Sequence, residues 1–430
     1  MKYLAVIGIL FLFDGLVAQT ADFKIMTYNL MFYKDQSAPC SQGLSFSQKD
    51  QAFKTVFKAV DPDILCVNEL VGFPDNSGAR SVLNNVINTD GENNFTHAAY
   101  SNNSFSSITN MLFYDSSMFA LKEQDYITNT LNNQSLVRVI DFYRLYYKDP
   151  ALSLGADTVF FTVVAAHLKA GNSTPNANQR EDAIQAAMDY LTNQVDDANV
   201  IFTGDLNTYS SFEGAYQELV NYSVASERFV DPGVPGSWNN NSTFAPLHTQ
   251  STHAFSSGCY SGGGLDDRFD FILHSSAVAA NSDGMSYKPN SMIAIGNDGA
   301  HFNQSINAGN NGVVSSAVAD ALYDFSDHLP VVAEYQVSLS DIAIEQFALQ
   351  NINVANPFDH EIVISGLPED HQFEISLLSV TGVELKSFRL IGGQNEYRLP
   401  SPALMKGLYL LRIKDERQQT IVKKVVKDGF

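Results

Sequence analysis

Through the first 340 residues, apolar runs of strand length alternate with stretches of helical period. Phe23 to Leu30, Asp63 to Leu70, Ile108 to Tyr114, Thr158 to Leu168, Val200 to Thr203, Phe269 to Leu273 and Val331 to Val337 read as strands. From Gln48 to Val60, Ala52, Phe53, Val56, Phe57 and Val60 recur at helical spacing, and Asp61-Pro62 stops the helix because the residue before proline disfavours the α region. Ala177 to Val195 is a second helix, with Ile184, Ala187, Met188 and Leu191 on its buried side. Alternation of this kind predicts an α/β sandwich rather than an all-β fold. Two long Asn/Ser/Gly-rich loops, 232–264 and 281–312, interrupt the pattern and are expected to frame a groove.

Past Val337 the pattern becomes purely β. Residues 341–430 carry 12 acidic and 10 basic side chains, which leaves 35 against 16 in the first 340. Nearly all of the net charge of -21 therefore belongs to the front segment. An acidic surface of that size supplies no broad phosphate-neutralising patch. A nucleic-acid substrate would need bound cations and a local basic rim; a smaller or lipid phosphodiester would not. Residues 1–18 look like a secretory signal peptide: Lys2, the apolar run Leu4 to Phe13, and Ala18 as a small residue for cleavage. That run is too short to span a bilayer, and no transmembrane segment is expected in the mature chain. Among three cysteines, Cys66 sits inside an apolar run and reads as a buried thiol. Cys40 and Cys259 lie in polar loops, and an exported protein could join them as a disulfide.

Polar signatures stand where the strands run out. They are Thr27-Tyr28-Asn29-Leu30, Val67-Asn68-Glu69-Leu70, Ala166-His167-Leu168-Lys169, Gly204-Asp205-Leu206-Asn207, Asp267-Arg268-Phe269-Asp270 and Ser326-Asp327-His328-Leu329-Pro330. Each alone is weak, since an Asx-rich turn after a strand is common. Together they supply carboxylates, neutral amides and two imidazoles, the inventory for cutting a phosphate ester with a divalent cation and an activated water. Gly204 permits a sharp exit from its strand, and in extended chain Asp205 and Asn207 would point to one side.

This ordered set resembles the endonuclease/exonuclease/phosphatase superfamily, which includes deoxyribonuclease I-like nucleases, abasic-site endonucleases and bacterial sphingomyelinases. The resemblance covers residues 22–337 and implies a four-layer α-β-β-α sandwich. It implies metal-holding roles for Glu69, Asn29 and Asp327, with Mg²⁺ the expected cofactor and Mn²⁺ or Ca²⁺ as substitutes. It implies catalytic roles for His167, Asp205, Asn207, Asp270 and His328, with Asp270 hydrogen-bonding His328 and fixing its ring. Family members usually carry Gln where this chain has Asn68, which keeps the amide and shortens its reach. Asn110, Lys169 and Arg180 are the expected substrate-binding residues; Arg268 reads as structural.

The tail, residues 345–430, contains Asn356-Pro357-Phe358, Thr381-Gly382, Gly407-Leu408-Tyr409-Leu410 and a basic end, Lys423-Lys424-Val425-Val426-Lys427. It resembles the type A sorting domain of the type IX secretion system of Bacteroidetes. That implies a small all-β sandwich, the outer-membrane type IX machinery as partner, and a secreted or surface-attached protein; a monomer is expected. Three readings follow: a nuclease with nucleic acid as substrate, a sphingomyelinase-like phospholipase C, and a catalytically silent binding protein on the same fold.

Overall fold

The computed structural model describes residues 20–34, 44–72, 74–91, 93–103, 106–150, 152, 157–339, 352–369, 371–401, 403–416 and 420–428. The signal peptide and Cys40 lie outside the described residues, so the expected bridge to Cys259 does too. Cys66 is a buried free thiol. No helix among the described residues is long and apolar enough to cross a membrane.

The chain divides into a large unit, Thr20–Lys148 with Thr158–Ser338, and a unit that includes Leu339–Phe430. In chain order the large unit's strands are β1 (Thr20–Tyr33), β2 (Ile64–Val71), β3 (Phe95–His97), β4 (Ile108–Asp115), β5 (Phe119–Asn129), β6 (Ser135–Tyr147), β7 (Phe160–His167), β8 (Val200–Asp205), β9 (Phe229–Val230), β10 (Asp270–Ser275), β11 (Met285–Tyr287), β12 (Ile293–Ala294) and β13 (Val331–Ser338). One sheet runs β11-β13-β1-β2-β4-β3, with β12 also on β13; the other runs β5-β6-β7-β8-β10-β9. The adjacent pairs β1/β2 and β7/β8 are parallel, and the other pairings are antiparallel.

Helices cover both outer faces. Helix α1 (Phe46–Val60) starts at a capping box in which the Ser45 hydroxyl accepts from Gln48 N and the Gln48 side chain accepts from Ser45 N. Its Phe53 and Val56 join Ile25, Leu65, Phe161, Val163 and Ile201 in one core that passes through the first sheet to the facing side of the second. On the far side, α2 (Thr174–Gln194), capped by Ser173, packs Ile184, Ala187, Met188 and Leu191 against Phe142, Val164, Phe202 and Phe271. This is the four-layer α-β-β-α sandwich that the resemblance implies. The sequence reading missed the long β5–β6 hairpin and α3 (Ser316–Phe325). Strand β5 is a sheet edge with many exposed polar residues, and β6 buries Asp141 among its apolar residues, so neither shows a clean period of two.

The C-terminal unit is all β. A three-stranded sheet (Asn353–Val354, Glu361–Ser365, Tyr397–Pro400) and a four-stranded sheet centred on Gln372–Leu378 and Gly407–Asp415 share a core of Ile362, Ile364, Phe373, Ile375, Leu411 and Ile413.

Candidate active site

The six signatures converge at one end of the paired sheets. Strand pairing does this directly: β8 lies between β7 and β10, with His167 opposite Asp205 and Asp205 opposite Asp270. On the other sheet, β1 lies between β2 and β13, which puts Asn29 opposite Asn68 and brings the residues before Val331 alongside.

At that edge the register breaks. Tyr33 pairs with Leu70 although Asn29 pairs with Asn68, so extra residues bulge from β1. A matching shift between Val67 and Leu70 on β2 puts Glu69 at φ 55. A left-handed glutamate is uncommon and costs on the order of 1–3 kcal/mol; such strain clusters at functional sites. Its effect is to turn Glu69 out of the strand's alternation, where it stays 13% exposed while Asn68 is fully buried. Asn207 lies beyond the end of β8 at φ 51, not in extended chain, so alternation does not explain its direction. An Asx turn does: Asn207 N donates to Asp205 Oδ1 at 3.0 Å, and Asn207 Nδ2 donates to the Leu168 carbonyl at 3.3 Å.

Asp205 is the centre of the cluster. Its Oδ2 accepts from Asn29 Nδ2 at 3.1 Å and lies 3.4 Å from His167 Nε2 and 3.8 Å from His328 Nε2. His167 Nε2 is also 3.7 Å from Glu69 Oε1, while its Nδ1 has no partner among the described residues. His328 Nδ1 lies 2.7 Å from Asp270 Oδ2, and its Nε2 lies 4.0 Å from Asp327 Oδ1. Asp327 Oδ2 accepts from Ser261 N at 2.9 Å.

Burial and charge set these groups apart. Burial opposes a charge on His328, but Asp270, Asp205 and Asp327 overcome it and hold the imidazolium well above the ordinary imidazole range. His167 is pushed well below that range by burial, with Arg138 and His328 adding repulsion, so this ring stays neutral. Burial raises the Asp205 carboxyl, with Asp270 and Glu69 adding repulsion against the pull of His328. Glu69 is raised by burial and by Asp327, partly offset by His328, Arg138 and an Asn29 hydrogen bond.

Four carboxylates (Glu69, Asp205, Asp270 and Asp327) thus crowd around one imidazolium and the Arg138 guanidinium. Hard oxygen donors with a surplus of negative charge suit a divalent cation such as Mg²⁺. Atoms of Asp205, Asp270 and His328 lie within 4.8 Å of one another. With Nδ1 bonded to Asp270, His328 has Nε2 left to face a ligand. Glu69 and Asp327 add two further carboxylates beside this group, 3.7 Å from His167 Nε2 and 4.0 Å from His328 Nε2 respectively.

Two expected substrate contacts are corrected. Asn110 is buried, and its amide bonds Asp141 Oδ2 at 2.9 Å and the carbonyls of Val139 and Ala165. Arg180 is 1% exposed; it grips Glu213 Oε2 at 3.0 and 2.6 Å and the carbonyls of Lys169 and Gly171 at 2.8 and 3.0 Å. It shapes the loop that carries Lys169 and offers no charge to a ligand. Arg268 is structural, as expected, and forms a bidentate pair with Asp231 at 2.8 and 2.7 Å.

Two residues escaped the sequence reading. Arg138, on β6, donates to the Leu168 carbonyl at 3.0 Å and, with His167, Lys169 and Gln134, lines a cavity of about 140 Å³. Gln250 places its side-chain amide 2.7 Å from His328 Nε2 and 3.4 Å from Asp327 Oδ2. No motif marks either one: Arg138 sits in a hairpin without clean periodicity, and Gln250 in a long polar loop.

Paired sheets with this cluster at their edge define a sandwich-fold hydrolase of phosphate esters. The Endonuclease/Exonuclease/phosphatase family is matched over residues 26–328, and the chain belongs to that family. The secretion system C-terminal sorting domain is matched over residues 355–428, so the protein is secreted or cell-surface attached by the type IX route of Bacteroidetes. No curated protein matches the chain. Among solved structures, the D. rerio TDP2 complexed with single strand DNA product is 13% identical, covering 73% of this chain and 99% of that one at TM-score 0.45. An endonuclease/exonuclease/phosphatase family protein from Bacteroides thetaiotaomicron is 13% identical (75% and 98% covered, TM-score 0.46). ANGEL2, a 2',3'-cyclic phosphatase, is 15% identical (76% and 100% covered, TM-score 0.45).

Proposed function

We propose that the large unit is a secreted, divalent-cation-dependent nuclease that hydrolyses phosphodiesters of DNA or RNA by direct attack of water. The observation that carries the hydrolytic reading is the placement of Asp205, whose carboxylate stands among the Asn29 amide, a neutral imidazole and a charged one. Its raised affinity for a proton suits a general base that takes one from water. The His328 imidazolium, turned by Asp270, donates from Nε2 to an oxygen that gains charge as the O–P bond from water forms and the bond to the leaving oxygen breaks. Asn207 adds a neutral amide donor, and His167 lies against Glu69 and Asp205 through Nε2. Glu69, Asn29 and Asp327 would hold Mg²⁺, which when bound neutralises charge at the phosphoryl group. The leaving oxygen takes the Nε2 proton of His328 as Asp205 takes one from water, and the products are a phosphate monoester and a free hydroxyl.

Arg138 and Lys169 favour nucleic acid as the substrate. Within an acidic chain they line one cavity beside His167, where the phosphate backbone would continue past the cleaved bond. A lipid phosphodiester is the second reading. It is supported by Phe212, 75% exposed on the loop after Asn207, and Phe255, 84% exposed on the loop that leads to Ser261. The test offers purified protein with Mg²⁺ plasmid DNA, RNA and sphingomyelin liposomes, with EDTA controls. Cation-dependent cleavage of DNA or RNA is the expected result. Cleavage of the lipid alone would replace the nuclease reading, and no cleavage of any of the three would leave a binding protein.

A further inference from the structure

We propose that Asn68, Asn110 and Asp141 form a buried hydrogen-bond relay that positions Asp205, with Asp141 as its anchor. The proposal rests on Asp205 as the water-activating base. The relay begins at the backbone of that residue: Asp205 N donates to Asn68 Oδ1 at 3.0 Å. Asn68 Nδ2 then donates to Asn110 Oδ1 at 2.7 Å, and Asn110 Nδ2 to Asp141 Oδ2 at 2.9 Å. The Ser101 hydroxyl closes the far end by bonding Asp141 Oδ1. All of these side chains are at most 2% exposed.

The direction of the chain is set at both ends. A peptide N–H can only donate, so Asn68 must present its oxygen to Asp205. Asn110 Nδ2 also faces the Val139 and Ala165 carbonyls, which can only accept, so Asn110 must present its NH₂ to Asp141. Each donor therefore points toward Asp141, and hydrogen bonds aligned this way polarise one another. The relay also ties the two sheets together. Asn68 and Asn110 come from β2 and β4, and their amides reach the β7 carbonyls of Ala166 and Ala165, each at 3.2 Å.

Gly204 supports the same reading. At φ 127 its backbone lies so close to the relay that an added Cβ would stand 2.0 Å from the Ala166 carbonyl oxygen and 3.1 Å from Asn68 Oδ1. The chain from Gly204 to Asp205 thus lies directly against Asn68 Oδ1, the atom that the Asp205 N–H bonds. The shorter reach of asparagine at position 68 is matched by Asn110, which spans the remaining distance to the carboxylate. Because a displacement of about 1 Å at a reacting group can cost on the order of 10²-fold in rate, a device that fixes the exit of β8 acts on turnover.

The test compares Asn110→Leu, Asp141→Leu and Asp141→Asn in Mg²⁺-dependent cleavage of bis(4-nitrophenyl) phosphate. Both leucine variants should lose about tenfold or more in kcat with KM and half-saturating Mg²⁺ within about twofold. Asp141→Asn keeps an acceptor for Asn110 and presents its NH₂ to the Ser101 hydroxyl, so it should recover most of that loss. Asn110→Ser serves where leucine prevents folding. Folded leucine or serine variants with kcat within about twofold of wild type would overturn the relay, as would a rise in KM in step with the lost kcat. A second readout needs no activity. Asn110→Ser should speed hydrogen exchange at the Asp205 amide by about tenfold over its β8 neighbours, and unchanged exchange would overturn the relay. If wild-type protein cleaves no diester, the hydrolase reading fails, and this exchange measurement still decides the relay.

Discussion

Asp270 Oδ2 lies 2.7 Å from His328 Nδ1, and both side chains are buried. The carboxylate holds the ring with Nε2 facing Asp205 and Gln250, and it sustains the charge that burial alone would remove.

Replacing Asp270 with Asn should therefore lower kcat by on the order of 10²-fold, the low end of what general acid–base groups contribute. The pH dependence has a defined sign. His328 is raised above the ordinary imidazole value, so activity that needs the imidazolium persists at neutral pH and is lost as pH rises through the folded-state pKa. Without Asp270 that alkaline limb should move down by at least about one pH unit. A profile of kcat/KM against pH for both proteins checks this, and an unmoved limb would remove His328 from the acid role.

Glu69 tests the cation assignment by a different measurement. EDTA should abolish cleavage and Mg²⁺ restore it. Glu69→Gln should raise the Mg²⁺ needed for half-maximal activity by about tenfold or more, since a charged hard donor becomes neutral. Because an ion that binds only the folded state stabilises it, Mg²⁺ should raise the wild-type Tm and raise that of Glu69→Gln less. Equal shifts in the two proteins would place the ion elsewhere.

What could be read from the sequence, and what could not, divides along physical lines. Asn29, Glu69, His167, Asp205, Asp270 and His328 were legible because each stands in a polar signature at or near one end of an apolar strand (His167 and Asp205 last in β7 and β8, Asp270 first in β10, His328 just before β13), and strand ends gather at sheet edges. Asn110 and Arg180 were misread for a common reason: sequence does not distinguish a polar side chain facing a cleft from one satisfied inside the protein. Asn110 meets a carboxylate from β6 and Arg180 meets Glu213, both brought near only by the tertiary fold. Arg138 and Gln250 were invisible because neither stands in a strand-end signature. The bulge at Glu69 was also beyond reach, since it follows from paired register shifts on two strands rather than from local composition.

Asp141 should leave a signature in stability. Burial raises its pKa to about 7, against roughly 3.9 for an aspartate in an unfolded chain. A carboxyl raised on folding binds its proton more tightly in the native state. Its contribution is thus fully present below about pH 4 and is lost as pH rises through about 7. The loss should be on the order of a few kcal/mol. Urea unfolding across this range should show wild-type stability declining relative to Asp141→Asn, and parallel curves would contradict a buried, strained carboxyl at this position.

Arg180 and Lys169 separate structure from recognition within one loop. Arg180 is 1% exposed and pairs with Glu213, while Lys169 is half-buried and lines the cavity beside His167. Arg180→Ala leaves Glu213 without its cation and the Lys169 and Gly171 carbonyls without a donor. It should cost about 3–5 kcal/mol of stability, as expected when one partner of a buried pair is removed. Lys169→Ala should leave the unfolding midpoint nearly unchanged and raise KM for nucleic acid a few fold. It should also flatten the dependence of binding on salt, because one phosphate contact is lost. Denaturant midpoints and KM at two salt concentrations distinguish the two residues. If Arg180→Ala were stable and impaired only in KM, Arg180 would face the substrate after all.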